Sequence, residues 1–211
     1  MTQQRQITID ARGQTSDPAA IWRRPCPVTP ALVLSGDLPS DPEAAKVHLQ
    51  GWVDSGITHI IDVRSEWSDR LLVGIHAPHV EYLWAGAQDH GGSQPDDWFE
   101  TCVQFAEDAL LRPGNKVLVH CHMGVNRGPS VGLAIMLALG WDPTVALAAI
   151  RVARPIAAAL YAEDAVAWWH RRIGSPDTVG LAERRRVRAW LHDHPVDTGW
   201  VISRIRRAEA S

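Results

Sequence analysis

Cys121 and Arg127 stand six positions apart with Gly124 between them, and that set can do nucleophilic chemistry on a bound oxyanion. They sit in Lys116 to Ser130, KVLVHCHMGVNRGPS. Val117, Leu118 and Val119, bounded by Pro113, Gly114 and Asn115, read as a short buried strand. Gly128, Pro129 and Ser130 open an apolar run, Val131 to Leu139, of helical length. Pro129 suits a first helical turn, where a missing N–H costs nothing. A strand, a short loop and a helix N-terminus gather backbone N–H groups around one point, and with the helix dipole they make an anion site. The field that holds a phosphate also stabilises a thiolate, which is the nucleophilic form of Cys121. Arg127 can fold back with a planar fork that matches two phosphate oxygens. Gly124 permits close backbone approach or a positive φ. Cys121 alone would read as a buried core cysteine; its neighbours argue for more.

His120-Cys121-His122-Met123-Gly124-Val125-Asn126-Arg127 resembles the signature of the protein tyrosine phosphatase superfamily, and its wording is most similar to the dual-specificity branch. Gly56-Ile57-Thr58-His59-Ile60-Ile61 is similar to a strand of the same family, and the resemblance covers Pro30 to Ile173. It implies a phosphatase-like fold and a phosphorylated protein or peptide as substrate, with a phosphocysteine formed on Cys121. The amides of His122, Met123, Gly124, Val125, Asn126 and Arg127, with the Arg127 guanidinium, would hold the equatorial oxygens. His120 would orient the loop through a hydrogen bond. The chemistry calls for no metal and no cofactor. Two departures stand out. The family usually has Ser or Thr directly after the arginine, where this chain has Gly128, so Ser130 is the candidate substitute or the intermediate hydrolyses slowly. The later Arg-x-x-x-Pro-Asn pattern survives only as Arg154-Pro155 followed by alanines.

A leaving alkoxide or phenolate needs a proton, and a carboxylic acid on a loop can supply it. Asp89, Asp96 and Asp97 are the carboxylates in range, with His90 as a rival. Asp96 and Asp97 follow Pro95 at the start of a helix, where carboxylates are favoured as anions. Asp89 lies in a Gly-rich loop, and the resemblance places the family's acid there too. Asp89 is the expected acid.

The elements that must position these groups follow from pattern. Ala31 to Leu34 reads as a strand. Asp41-Pro42-Glu43 starts a helix that Gly56 ends. Ile57 to Val63 is the next strand, with Asp62 and Arg64 placed to tie loops together. Trp67 to Pro78 gives no clear pattern, Val80 to Leu83 is a short strand, and Asp96 to Leu111 is a helix. Later helices are expected over Val131–Leu139, Pro143–Arg151 and Ala157–Ile173, then Leu181–His192 and Thr198–Arg207. The fold class is α/β, a central, mainly parallel sheet flanked by helices with a helical C-terminal extension. Domain divisions are expected as 1–29, an N-terminal arm with an edge strand around Ile7 and Ile9; 30–173, the catalytic unit; and 174–211, a basic extension.

Bulk properties bound the rest. The chain has 211 residues, 45% of them hydrophobic, enough for a sizeable core. A net charge of −3 gives no basic field for nucleic acid. That disfavours an RNA 5′-triphosphatase, the alternative that the Gly-x-Asn-Arg wording suggests. A slow-turnover phosphate-binding module is the other alternative, through Gly128. Cys26, Cys102 and Cys121 are too few for a disulfide framework, which points to a reducing, cytoplasmic setting. Cys26 reads as a loop residue and Cys102 as core. No apolar run reaches a membrane span of about 18 residues. Arg184, Arg185, Arg186, Arg188, Arg204, Arg206 and Arg207 make the extension either a packed helical pair with solvated arginines or a docking patch for an acidic partner.

Overall fold

The computed structural model describes residues 17–210; Ile7 and Ile9 lie outside them. Five strands form one sheet: β1 (Cys26–Pro27), β2 (Leu32–Ser35), β3 (His59–Arg64), β4 (Glu81–Ala87) and β5 (Val117–His120). Their order is β1-β2-β5-β3-β4. β2, β5, β3 and β4 run parallel, and β1 pairs antiparallel with β2. Parallel strands covered on both faces read as unbroken apolar runs, and that is what Leu32-Val33-Leu34 and Val117-Leu118-Val119 are. Successive residues face opposite layers. Leu32, Leu34, Ile61, Val117 and Val119 pack into the larger core, while Val33, Ile60 and Leu118 pack into the smaller one.

Helices α2 (Pro42–Asp54) and α3 (Arg70–His76) supply the smaller core through Leu49, Trp52 and Val73. The larger core takes α4 (Asp96–Leu110), α5 (Arg127–Ala138), α6 (Pro143–Ala153) and α7 (Ala162–Arg172). Helix starts follow local chemistry. Asp41 Oδ1 accepts from the Ala44 N–H at 2.8 Å, and Asp142 Oδ1 accepts from the Thr144 N–H at 2.9 Å, each ahead of a proline in the first turn. Gly56 ends α2 at φ +88°. Cys102 is fully buried on α4, and burial pushes its thiol's pKa up.

The fold departs from expectation where distant partners decide. The expected helix over Ala157–Ile173 begins only at Ala162. Ala158 and Ala159 instead donate their N–H groups to the Val125 carbonyl, at 2.7 and 3.2 Å, and Ala159 sits at φ +50°. The strand at Val80–Leu83 continues to Ala87, and Trp67–Pro78 contains α3. α5 starts at Arg127, ahead of Gly128. Residues 17–29 are part of the body: α1 (Pro18–Ile21) packs on the C-terminal helix, and Cys26 is a buried residue of β1 and not a loop thiol. The extension forms α8 (Asp177–Asp193) and α9 (Thr198–Glu209).

A buried ion network ties the carboxyl end of β3 to the beginning of β4 and to the start of α3. Arg64 Nε donates to Asp62 Oδ1 at 2.9 Å and Nη2 donates to Oδ2 at 2.7 Å; Nη2 also reaches Asp69, and Nη1 lies 3.5 Å from Asp37. The Tyr82 hydroxyl donates to Asp62 Oδ2 at 2.5 Å. Burial alone would raise the Asp62 carboxyl, but His120 beside it and the Arg64 and Tyr82 contacts outweigh burial and hold its pKa below the ordinary value. Removing one member of such a set strands the others. Arg64→Met is therefore expected to lower stability by about 3–5 kcal/mol in urea unfolding; a loss under about 1 kcal/mol would show that the network does not brace the sheet.

Candidate active site

The loop from Cys121 to Asn126 joins the end of β5 to the start of α5. Its backbone orientation follows from where its carbonyls go. The His122 carbonyl accepts from the Asp37 N–H at 2.9 Å, and the Val125 carbonyl accepts from Ala158 and Ala159. Arg154 takes the two between: Nε donates to the Gly124 carbonyl at 2.6 Å and Nη2 donates to the Met123 carbonyl at 3.1 Å. In a planar trans peptide the N–H points opposite to the C=O. Four carbonyls fixed behind the loop therefore turn the N–H groups of Met123, Gly124, Val125 and Asn126 to its other side. The helix dipole of α5 adds its positive end there.

Arg154 is fully buried, and its remaining donors are met by the carbonyls of Trp22, at 2.5 Å, and Arg24, at 3.2 Å. Burial pulls its pKa down, but a guanidinium stays charged. Gly124 sits at φ +63° against it. A Cβ on Gly124 would run into the Arg154 guanidinium and lie 2.6 Å from the Ser35 carbonyl oxygen. Glycine is required there on both counts.

Cys121, Asp89 and Arg127 all line one cavity of about 410 Å³. Arg127 is 3% exposed and held in place. Its Nη2 and Nη1 donate to Glu66 Oε1 and Oε2 at 2.7 and 2.8 Å, and Nη1 also donates to the Ala87 carbonyl at 2.8 Å. Burial would raise the Glu66 carboxyl, but the bidentate pair outweighs it and lowers the pKa. Asp89 Oδ1 accepts from Asn126 Nδ2 at 2.7 Å and from the Tyr161 hydroxyl at 2.8 Å, while Oδ2 lies 3.5 Å from Arg127 Nε. Asn126 Oδ1 accepts from the Leu160 N–H at 2.6 Å, so one side chain joins the loop, the carboxylate and the segment before α7. Glu66, Tyr161 and Arg154 carry no local sign of these contacts in the sequence.

The rival acids are elsewhere. Asp96 Oδ2 accepts from Arg171 Nε at 2.6 Å on the exposed side of α4, and His90 and Asp97 line a separate cavity beside β4. His122 is a wall of the Cys121 cavity, with Nδ1 2.7 Å from Asp37 Oδ2; that hydrogen bond raises its pKa. His120 corrects an expectation. It is fully buried, and neither ring nitrogen has a hydrogen-bond partner among the described residues. It packs against Trp52 with centroids 5.4 Å apart, and burial pushes it towards the neutral form. Its part is to fill space behind the loop. Ser130 Oγ is buried and accepts from the Tyr161 N–H at 3.3 Å. At Gly128 a Cβ would lie 3.6 Å from Cys121 Sγ, an ordinary contact, so a side chain fits next to that sulfur.

Asp62, Asp69 and His120 bring ligand atoms within 4.8 Å of one another, a set that could hold a metal ion. The Arg64 guanidinium is already bonded to both carboxylates. The cation those residues are built around is this side chain.

The Gly124→Ala variant tests whether the loop is as tightly specified as these contacts require. It is expected to cost about 3 kcal/mol in urea unfolding, from the positive φ and the collision with Arg154. A cost below about 0.5 kcal/mol, the range of ordinary surface changes, would contradict the packing described.

Comparison with known proteins agrees with this geometry. The family model described as "Dual specificity phosphatase, catalytic domain" matches residues 43–159. Human dual specificity protein phosphatase 26 is 33% identical over 85 residues, which cover 39% of this chain and 39% of that protein. Human dual specificity protein phosphatase 5 is 31% identical over 81 residues, covering 38% of this chain and 20% of that one. The matches thus span well under half of those relatives. Among solved structures, PTPMT1 superposes with a TM-score of 0.59 at 22% identity, over 71% of this chain and 96% of its own. Human DUSP28 gives 0.58 at 20% identity, over 71% and 95%. These two likenesses concern the fold. With more than half of its length matched by the family model, the chain belongs to the dual specificity phosphatase catalytic domain family.

Proposed function

We propose that the protein is a cysteine-dependent phosphatase that hydrolyses phosphate monoesters on phosphorylated proteins. Phosphotyrosine is the default substrate, with or without phosphoserine and phosphothreonine. The observation that carries this reading is the loop whose four carbonyls are bonded behind it, with Cys121, Asp89 and Arg127 on one cavity in front.

The reaction runs in two steps. The Cys121 thiolate attacks phosphorus, the ester P–O bond breaks, and Asp89 delivers its proton to the leaving oxygen. Loop amides and the Arg127 fork hold the three equatorial oxygens, and their preorganised field is the largest stabilising contribution. Water then attacks the phosphocysteine, Asp89 takes its proton, and the thiolate leaves inorganic phosphate behind. Tyr161 and Asn126 hold the Asp89 carboxylate at the cavity.

Gly128 bears on the second step. It places no hydroxyl beside Cys121 Sγ. This favours slow hydrolysis of the phosphocysteine, the kinetic content of the slow-turnover alternative. The RNA 5′-triphosphatase reading has less support: net charge is −3, and most arginines of the extension are paired internally. The catalytic unit in this reading is 30–173, with 17–29 packed on it and α9 of the 174–211 extension completing one wall of the cavity. Among the described residues no helix is long and apolar enough to cross a membrane. A cytoplasmic setting belongs to the proposal through the reduced cysteines.

Phosphate release from an aryl phosphate tests the reading. Cys121→Ser is expected to abolish it, and Asp89→Asn to lower kcat by about 10²–10⁴. Undiminished turnover in Cys121→Ser would overturn the mechanism. Wild type is further expected to give a burst near one equivalent and then a slow phase. Gly128→Ser should speed that slow phase and leave the burst intact. A slow phase unchanged by Gly128→Ser would refute the part assigned to this glycine.

A further inference from the structure

Thr198, Ile202 and Arg206 recur every four positions along α9, which puts them on one helix face. All three line the Cys121 cavity. Another face of the helix is bound to the protein: Val201 and Ile205 are buried with Ile21, Trp22 and Ile156. The helix is also fixed along its length. Asp197 Oδ1 accepts from the Trp200 N–H at 2.9 Å, Arg204 pairs with Asp17 at 2.9 Å, and Glu209 lies 3.7 Å from His122. α9 is therefore a fixed wall of the active site.

This wall comes from beyond the stretch that the family model matches, residues 43–159.

The arginines of the extension are mostly accounted for. Arg184 and Arg188 face Glu163, Arg186 bridges Asp142 and Glu183, Arg204 pairs with Asp17, and Arg207 donates to Ser203. Arg206 is exposed at the cavity and has no ion pair among the described residues. Arg127, the other guanidinium of the cavity, is tied to Glu66. Arg206 is thus a positive charge that faces whatever enters and is not neutralised from within.

The geometry points to Arg206 as a specificity-determining residue that binds a second anionic group of the substrate. That group is a carboxylate or a further phosphate on a residue flanking the one held by the Cys121 loop. Ile202 beside Leu160 and Met123 gives the apolar side against which the stem of the phosphorylated residue lies. The inference rests on the phosphatase reading and names the substrate class within it.

The test uses the full chain as wild type, Arg206→Ala, Arg206→Lys and Arg206→Glu. Each is assayed on four phosphotyrosine peptides whose flanking position carries Glu, phosphoserine, Ala or Lys. The readout is the ratio of kcat/KM between peptides within one variant, which a general loss of activity leaves unaltered. Wild type should prefer the Glu or phosphoserine peptide over the Ala peptide about fivefold, the size of one exposed ion pair. Arg206→Lys should keep the preference, Arg206→Ala should abolish it, and Arg206→Glu should turn it towards the Lys peptide. A preference only for phosphoserine identifies phosphate as the anion read; equal preferences identify charge alone. The same preference in wild type and Arg206→Ala would overturn the proposal. Wild type without aryl phosphatase activity would overturn the phosphatase reading beneath it.

Discussion

The loop from Cys121 to Asn126 can face an anion only because its carbonyls are occupied elsewhere. His122, Met123, Gly124 and Val125 each place a carbonyl behind the loop, and the donors come from two distant parts of the chain, one after β2 and one between α6 and α7. Asp37 follows β2, Arg154 follows α6, and Ala158 and Ala159 precede α7. Burying Arg154 without partners would be prohibitive. It is tolerated because carbonyls of the loop and of the segment after α1 surround it. The same carbonyls, unpaired, would point into the cavity and repel a phosphate. One side chain thus satisfies its own burial and sets the polarity of the site. Residues 22–24, in a stretch that reads as a loose arm, are fastened to the body by that guanidinium.

What the sequence discloses about the site is the part written locally. The strand, Gly124, Arg127 and the helix start lie within one short stretch, so their spacing is readable. Asp41, Asp142 and Asp197 are legible as helix caps for the same reason: each bonds an N–H two or three residues on. Contacts between distant segments left no such trace. Glu66 holds Arg127 from 61 positions away, and Tyr161 holds Asp89 from 72. Ala157–Tyr161 has helical composition, but two N–H groups are taken by Val125 and the helix begins later. There a tertiary bond overrides propensity. His120 went the other way: its position suggested a hydrogen bond, and the packed space behind β5 gives it Trp52 instead.

The extension illustrates how far charge counting goes. A run of arginines suggests a basic surface, but most of these side chains face carboxylates of α6, α7 or α8, or Asp17 beside α1. Exposed pairs of this kind contribute little to stability, yet they cancel the field an acidic partner would need. What remains is local: in the sequence Arg206 is one of seven arginines of the extension, and only the fold sets it with Thr198 and Ile202 on the Cys121 cavity.

The account stands or falls on covalent chemistry at Cys121. The most direct measurement is acid-quenched mass spectrometry of the full chain mixed with an aryl phosphate and sampled through the first turnover. A phosphate adduct is expected on the peptide that carries Cys121, formed with the burst and lost as inorganic phosphate appears. Phosphate release with no adduct, or an adduct confined to another residue such as His122, would contradict it.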